Sequence, residues 1–219
     1  MNQAWGLFGF SDAIADILDI MQANNDSLEQ IVLNVDIEHK RIQRYLQWLD
    51  YPVELLHVKD FQPRTHLAYN FGFFLPAKAA LIEQLHAHQL KYQPLVHPAA
   101  AVSQLCTIGL CLMIGPMSTV TTGCRLGDFV RINRCASIGH DTHIGPYTNI
   151  GPGVTVCGHC RIGSNSFIGA GSTVKDHIAI GANVLIGAGS VVTRDIQDNV
   201  VAYGNPARVV RARTTNSWD

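Results

Sequence analysis

Residues 137–145 read S-I-G-H-D-T-H-I-G, and the His140–Asp141 pair within them is suited to proton transfer. A histidine side chain changes charge near neutral pH, so it can take a proton from an attacking amine or hydroxyl. A neighbouring carboxylate can orient the ring and raise its basicity. Eighteen residues further on stands Gly158, whose N–H carries no side chain to keep a carbonyl oxygen away. The residues alone leave two readings at each place. His140 is either a base or a solvated histidine, and Gly158 is either an oxyanion donor or a tight corner.

The spacing of eighteen comes from a repeat. Every sixth residue from Val96 to Val192 is Val, Ile or Leu, which makes seventeen uninterrupted hexads over residues 96–197. Glycine follows the aliphatic residue in ten of them. A period of six keeps no face of an α-helix apolar, but it suits a short strand followed by a corner. The aliphatic residue and the small residue four places after it share the inner face by strand alternation. Three hexads close one triangular coil of eighteen residues, and the stack predicts a parallel β-helix roughly 27 Å tall at ~4.8 Å per coil. His140 then sits at a corner and points outward. Gly158 lies one coil further along the same corner, and Ala170 and Ala188 form a pair on a different one. The C-x-x-C of Cys157–Cys160 has the spacing of a redox dithiol. The repeat instead points Cys160 inward, in a column with Cys106, Cys124, Thr142 and Ile178, where cysteine acts as a small hydrophobe.

Residues 1–92 have a different texture. Ala4–Phe10, Ile31–Asp36, Val53–Val58 and Leu67–Phe74 read as strands. Helices are expected from Ile14, capped by Ser11 or Asp12, over Glu38–Leu49, and over Ala77–Leu90. Alternating strands and helices predict a small Rossmann-like parallel α/β sheet, followed from residue 93 by the β-helix. Ligands of such sheets sit beyond the strand ends, here the loops at Gly9–Asp12, Asp36–Ile37 and Asn70–Phe73. Gly6 and Gly9 do not form a dinucleotide fingerprint, and strand-end packing competes with ligand contact there.

Sixteen basic and seventeen acidic residues give a net charge of −1 with no long run of one sign, which argues against a nucleic-acid surface. No segment reaches the ~18 apolar residues of a membrane span, and no signal peptide is evident. Six cysteines in a chain of 219 residues fit a reduced, cytoplasmic protein.

The pattern [LIV]-G-x-x-[small]-x resembles the hexapeptide-repeat acyltransferases, which implies a left-handed β-helix. The terminal Gly204-Asn205-Pro206-Ala207-Arg208 is similar to the closing signature of those enzymes, a turn at the end of the prism. The α/β domain before the β-helix extends the resemblance over nearly the whole chain. It points to bacterial sugar acetyltransferases of the NeuD/PglD type, which include the GDP-perosamine N-acetyltransferases. The resemblance implies a homotrimer that transfers an acetyl group from acetyl-CoA to a nucleotide-linked amino sugar in surface-polysaccharide synthesis. It implies His140 as general base with Asp141 as partner, Gly158 at the thioester carbonyl, and Ala170, Ala188 and Asn149 along the acetyl-CoA groove. A relative carries histidine where this chain has Asn149. Gly9, Phe10 and Ser11, in a first loop shortened relative to the family, and Asp36, at the end of the second strand, are expected at the nucleotide-sugar. Arg208 is either a partner for a CoA phosphate or a solvated charge. Other readings are sugar O-acetylation, a γ-class carbonic anhydrase with histidine-bound zinc, and a non-catalytic sugar-binding trimer. No metal is expected in the favoured reading.

Overall fold

The computed structural model describes residues 2–33, 39–72, 85, 88 and 90–214. Asp36 and most of the helix expected over Ala77–Leu90 lie outside the described residues. The chain divides into two compact units, residues 1–95 and 96–219.

The first unit holds β1 (Ala4–Phe8), α1 (Ile14–Ala23), β2 (Ser27–Leu33), α2 (His39–Leu46), β3 (Glu54–His57) and β4 (Ala68–Phe71). Among the described residues the strands form one parallel sheet in the order β3-β2-β1-β4. β1 and β4 are buried almost throughout, as strands of a sheet covered on both faces are, while β3, at the edge, is only part-buried. Leu7, Phe8, Ile31, Leu67, Tyr69 and Phe71 are buried in it. Gly6 serves this packing, since a Cβ there would stand 2.5 Å from the Tyr69 ring. The Tyr69 hydroxyl in turn accepts from the Gln30 amide and the Arg64 backbone N–H, at 3.0 and 2.9 Å. One expectation fails at α1. Its N-cap is Ala13, with no side-chain cap. Ser11 Oγ instead donates to the Gly72 carbonyl, and the Asp12 carboxylate pairs with Arg41, so tertiary partners take both side chains.

The second unit is the repeat made solid. Two-residue strands pair in parallel with those eighteen residues away: Ser137 with Thr155, His143 with Arg161, Asn149 with Phe167. They assemble into a five-, a six- and an eight-stranded sheet, the three faces of a triangular prism. The aliphatic column is buried from Ile114 to Val192 and lines one continuous core. Polar residues and thiols that point inward donate to carbonyls fifteen residues on. Examples are Ser118 to Asn133, Thr142 to Cys157, Ser166 to Gly181 and Ser172 to Gly187. This is how small buried hydroxyls are tolerated in an aliphatic interior. Cys160 follows the same rule, its thiol donating to the Lys175 carbonyl at 3.1 Å, and burial raises its pKa. Ile108 departs from the inward rule at 37% exposure, because its strand is the last of the five-stranded sheet. At the other end, strands Val200–Gly204 and Ala207–Ala212 form an antiparallel hairpin on the eight-stranded sheet. Val200, Ala202 and Ala207 cover the last of the core. The Gly204–Arg208 segment is therefore a hairpin turn. Arg208 is exposed, with one guanidinium nitrogen donating to the Ala207 carbonyl.

Candidate active site

The corner between the six- and five-stranded sheets is built by strand Ser137–Ile138, the turn 139–142 and strand His143–Ile144. Ile138 and Thr142 are buried and anchor the turn from both sides. Between them Asp141 takes a left-handed backbone, φ +55°, which carboxylate residues tolerate better than most. Gly139 is required, because a Cβ there would meet the Gly158 nitrogen at 2.5 Å. The close stacking of coils leaves His140 and Asp141 pointing out together.

His140 Nδ1 lies 2.9 Å from Asp141 Oδ2. This hydrogen bond is the main reason the Asp141 carboxyl titrates below its ordinary value, and electrostatic attraction to His159, His140 and His143 adds to the effect. With Asp141 ionised and accepting, the Nδ1 site carries the ring proton and Nε2 is left as the acceptor. Gly158 is the next coil at this corner. A Cβ added to it would stand 2.8 Å from His140 Nε2, so the ring extends over the glycine. The Gly158 N–H has no hydrogen-bond partner among the described residues. Base nitrogen, orienting carboxylate and free backbone donor therefore converge here.

His159, to which the sequence reading assigned no part in the favoured chemistry, completes this corner. Its ring meets that of His140 edge-on at 4.8 Å, and its Nδ1 is 4.0 Å from Asp141 Oδ2. His177 stacks on it in turn, 4.7 Å away and 11° from parallel. The step of eighteen could have found this column, since Asp141, His159 and His177 are one coil apart.

The expected cofactor residues are not all at this corner. Ala170 and Ala188 occupy the corner between the eight- and six-stranded sheets, one side of the triangle away, up to ~20 Å for six extended residues. Beside them, Gly153, Gly171 and Gly189 have φ near +65°, with nothing within 4 Å of an added Cβ. Among the described residues, twelve that are not glycine adopt the same backbone region, Met117 and Cys135 on this same column among them. The left-handed turn therefore does not force glycine, and the three glycines leave the outside of this corner free of side chains. Asn149 sits on the eight-stranded sheet. It is 6% exposed, and its side-chain oxygen has no partner among the described residues.

In the first unit, the Gly9–Asp12 and Gly72 loops are joined. Ser11 N and Oγ both donate to Gly72 O at 3.1 Å, and a Cβ on Gly72 would collide with the Gly9 carbonyl. Phe10 packs against Tyr45 at 5.8 Å, with the Arg41 guanidinium 6.0 Å over its ring. Arg41, on α2, was not among the expected residues. Nothing in its local sequence sets it apart, and only the packing of α2 brings it to Asp12. No helix among the described residues is long and apolar enough to cross a membrane.

These features define a small parallel α/β unit followed by a left-handed parallel β-helix of six-residue repeats. The bacterial transferase hexapeptide (six repeats) family matches residues 123–158 and 159–194, the coils that carry His140 and Gly158. The fold is shared over almost the full length with several solved structures. A mutant of perosamine N-acetyltransferase from Caulobacter crescentus, in complex with CoA and GDP-perosamine, is 21% identical, with a TM-score of 0.81 over 96% of this chain and 98% of that one. The acetyltransferase domain of PglB from Neisseria gonorrhoeae, in complex with acetyl coenzyme A, is 23% identical, with a TM-score of 0.79 over 96% and 100%. WeeI from Acinetobacter baumannii is 19% identical, with a TM-score of 0.79 over the same shares. No curated protein matches the chain significantly by sequence.

Proposed function

We propose that this protein is an acetyl-CoA-dependent acyltransferase that N-acetylates a nucleotide-linked amino sugar for surface-polysaccharide synthesis. The observation that carries the reading is the His140–Asp141 pair with the unpartnered Gly158 N–H on the same corner, one coil away. The acceptor nitrogen attacks the thioester carbonyl, and His140 Nε2 takes its proton. Asp141 holds Nδ1–H and stabilises the imidazolium. The Gly158 N–H donates to the tetrahedral oxyanion. As the intermediate collapses, CoA leaves as thiolate and is protonated by His140.

The corner at Gly153, Gly171 and Gly189, with Ala170 and Ala188, carries no bulky side chain and is assigned to the pantetheine arm. It lies a full side of the prism from His140 of its own chain. With base and cofactor corner set apart on one chain, the proposed site lies between copies packed side by side, with a homotrimer as the closed arrangement. Asn149, with its unsatisfied oxygen, is assigned to the same cofactor. In the first unit, the joined Gly9–Ser11 and Gly72 loops, with Asp36, are assigned to the nucleotide-sugar at the strand ends. The C. crescentus and N. gonorrhoeae proteins, which bind CoA with GDP-perosamine and acetyl-CoA respectively, support these assignments. A reduced, cytoplasmic setting is part of the proposal.

Incubation with acetyl-CoA and a panel of nucleotide-linked amino sugars, followed by mass detection of product, tests it. An acetylated product resistant to hydroxylamine is expected for an amide, and a sensitive one would instead mean O-acetylation. His140→Ala should lower turnover by about 10²–10⁴ with little change in acetyl-CoA affinity. Near-wild-type turnover would remove His140 from the mechanism.

A further inference from the structure

We propose that His140, Asp141 and His159 also form a binding site for a divalent transition-metal ion, and that an ion held there disables the base. The second half rests on the acyl-transfer reading, and the first does not.

Each of the three residues offers one ligand atom, and these atoms lie within 4.8 Å of one another. Two imidazole nitrogens and a carboxylate oxygen suit zinc, cobalt, nickel or copper rather than magnesium or calcium. Ligands about 2.1 Å from a tetrahedral ion stand roughly 3.4 Å apart. His140 Nδ1 and Asp141 Oδ2, at 2.9 Å, need only open slightly, and His159 Nδ1, at 4.0 Å from the same oxygen, need only close slightly. The frame beneath them is set. His159 N donates to His140 O at 2.8 Å, which locks the two coils at this corner. The His159 ring is held between His140 edge-on and His177 face-on, so little freedom is lost on binding. The Asp141 carboxylate supplies the negative charge. A cavity of about 380 Å³, bordered by Asp141, His159 and His177, leaves room for the waters that would complete the coordination. Arg161 borders it too, and its positive charge weakens the hold on a cation.

Binding consumes the ring nitrogen that now points at Asp141. The single ring proton of His140 moves from Nδ1 to Nε2, with no net proton gained or lost. Nε2 then carries hydrogen where the mechanism needs a lone pair, and the acceptor's proton has nowhere to go. An ion at this corner is thus an inhibitor, not a cofactor.

The full-length protein, stripped with a chelator, is titrated with cobalt(II) and followed by absorbance, then with zinc by calorimetry. One ion per chain is expected, without a thiolate-to-cobalt charge-transfer band. His159→Asn should raise the midpoint about tenfold or more. Asparagine suits the left-handed backbone at 159, φ +59°, so this variant should fold. Asp141→Asn, at φ +55°, is a second such variant and should weaken binding as well. No saturable binding, a thiolate band, or unchanged binding in both variants would overturn the site. For inhibition, zinc should abolish product formation by the wild type, a chelator should restore it, and His159→Asn should resist the same zinc concentration. Binding with unaffected turnover would overturn the inhibitory role alone. If no acetyl transfer is seen even in the stripped protein, the acyl-transfer reading fails and the titrations still decide the site.

Discussion

His140 Nε2 lies 2.8 Å from the point where a Cβ on Gly158 would stand, one coil along the same corner. Gly158 is not in the left-handed backbone region, so alanine fits its main chain. The nearest conflict is with the His140 ring. Gly158→Ala should therefore keep the fold and push the ring off its hydrogen bond to Asp141. Turnover is expected to fall by roughly 10²-fold, within the range typical of losing a positioned base. Thermal unfolding should change little. Steady-state kinetics with mass-detected product, beside a circular-dichroism melt, check both halves. Undiminished turnover would mean that the ring works from elsewhere.

The Asp141 carboxyl is held below its ordinary value of 3.8, first by the hydrogen bond from His140 and then by electrostatic attraction to the histidines around it. A carboxyl titration followed by carbon-detected NMR should place its midpoint below that value. In His140→Ala it should move back up, because the largest cause is gone. His159→Asn should move it up by less. The sign for stability follows. A carboxyl whose folded pKa is depressed adds stability above its unfolded pKa and loses it as pH falls through the folded one. Any stabilisation from this pair thus disappears only below the ordinary carboxylate range, and at neutral pH Asp141 remains an anion ready to hold imidazolium. A midpoint that does not respond to His140→Ala would sever the two residues.

The coils were legible because a strict period leaves one solution. Ile138, Ile144 and Ile150 had to point inward, and the step of eighteen then placed Gly158 beside His140. The same step would have given the Asp141–His159–His177 column, but the type of residue at a corner carries no signal until its neighbours are seen. Ile108 broke the inward rule because a repeat does not mark which strand is the last of its sheet. The first unit was less legible. Ser11 looked like a helix cap, yet the Gly72 carbonyl, 61 residues away, takes its hydroxyl. Arg41 reaches Asp12 from another element, and no local pattern foretells such a pairing.

Gly171 separates a ligand channel from a mere corner. Its backbone, φ +67°, lies where asparagine is tolerated, and an added Cβ meets nothing within 4 Å. Other corners carry Asn165 and Asn183 in this conformation, their side chains bonded to each other at 3.4 Å. Gly171→Asn should therefore leave the melting temperature within a few degrees of wild type, as for a strain-free surface change. It should raise the acetyl-CoA dissociation constant about tenfold or more, the 1.4 kcal/mol of an obstructed contact. Calorimetric titration with CoA reads this directly. Unaltered affinity would move the cofactor off this corner.

The placement of His140 and Gly171 on different corners makes the assembly testable without another structure. If each site takes its base from one chain and its channel from the next, His140→Ala and Gly171→Asn disable the same site from opposite sides. Each variant alone should be nearly inactive as a homo-oligomer. Unfolded together and refolded as a mixture, they should regain activity, because some interfaces then join an intact base to an intact channel. For random assembly of equal amounts in a closed ring, about a quarter of the interfaces are of that kind. Up to roughly a quarter of wild-type turnover is therefore expected. Refolding each variant separately and mixing afterwards should give far less, unless subunits exchange. If both functions instead belonged to a single chain, no mixture could restore a site, and co-refolded activity would stay at the level of the separate variants.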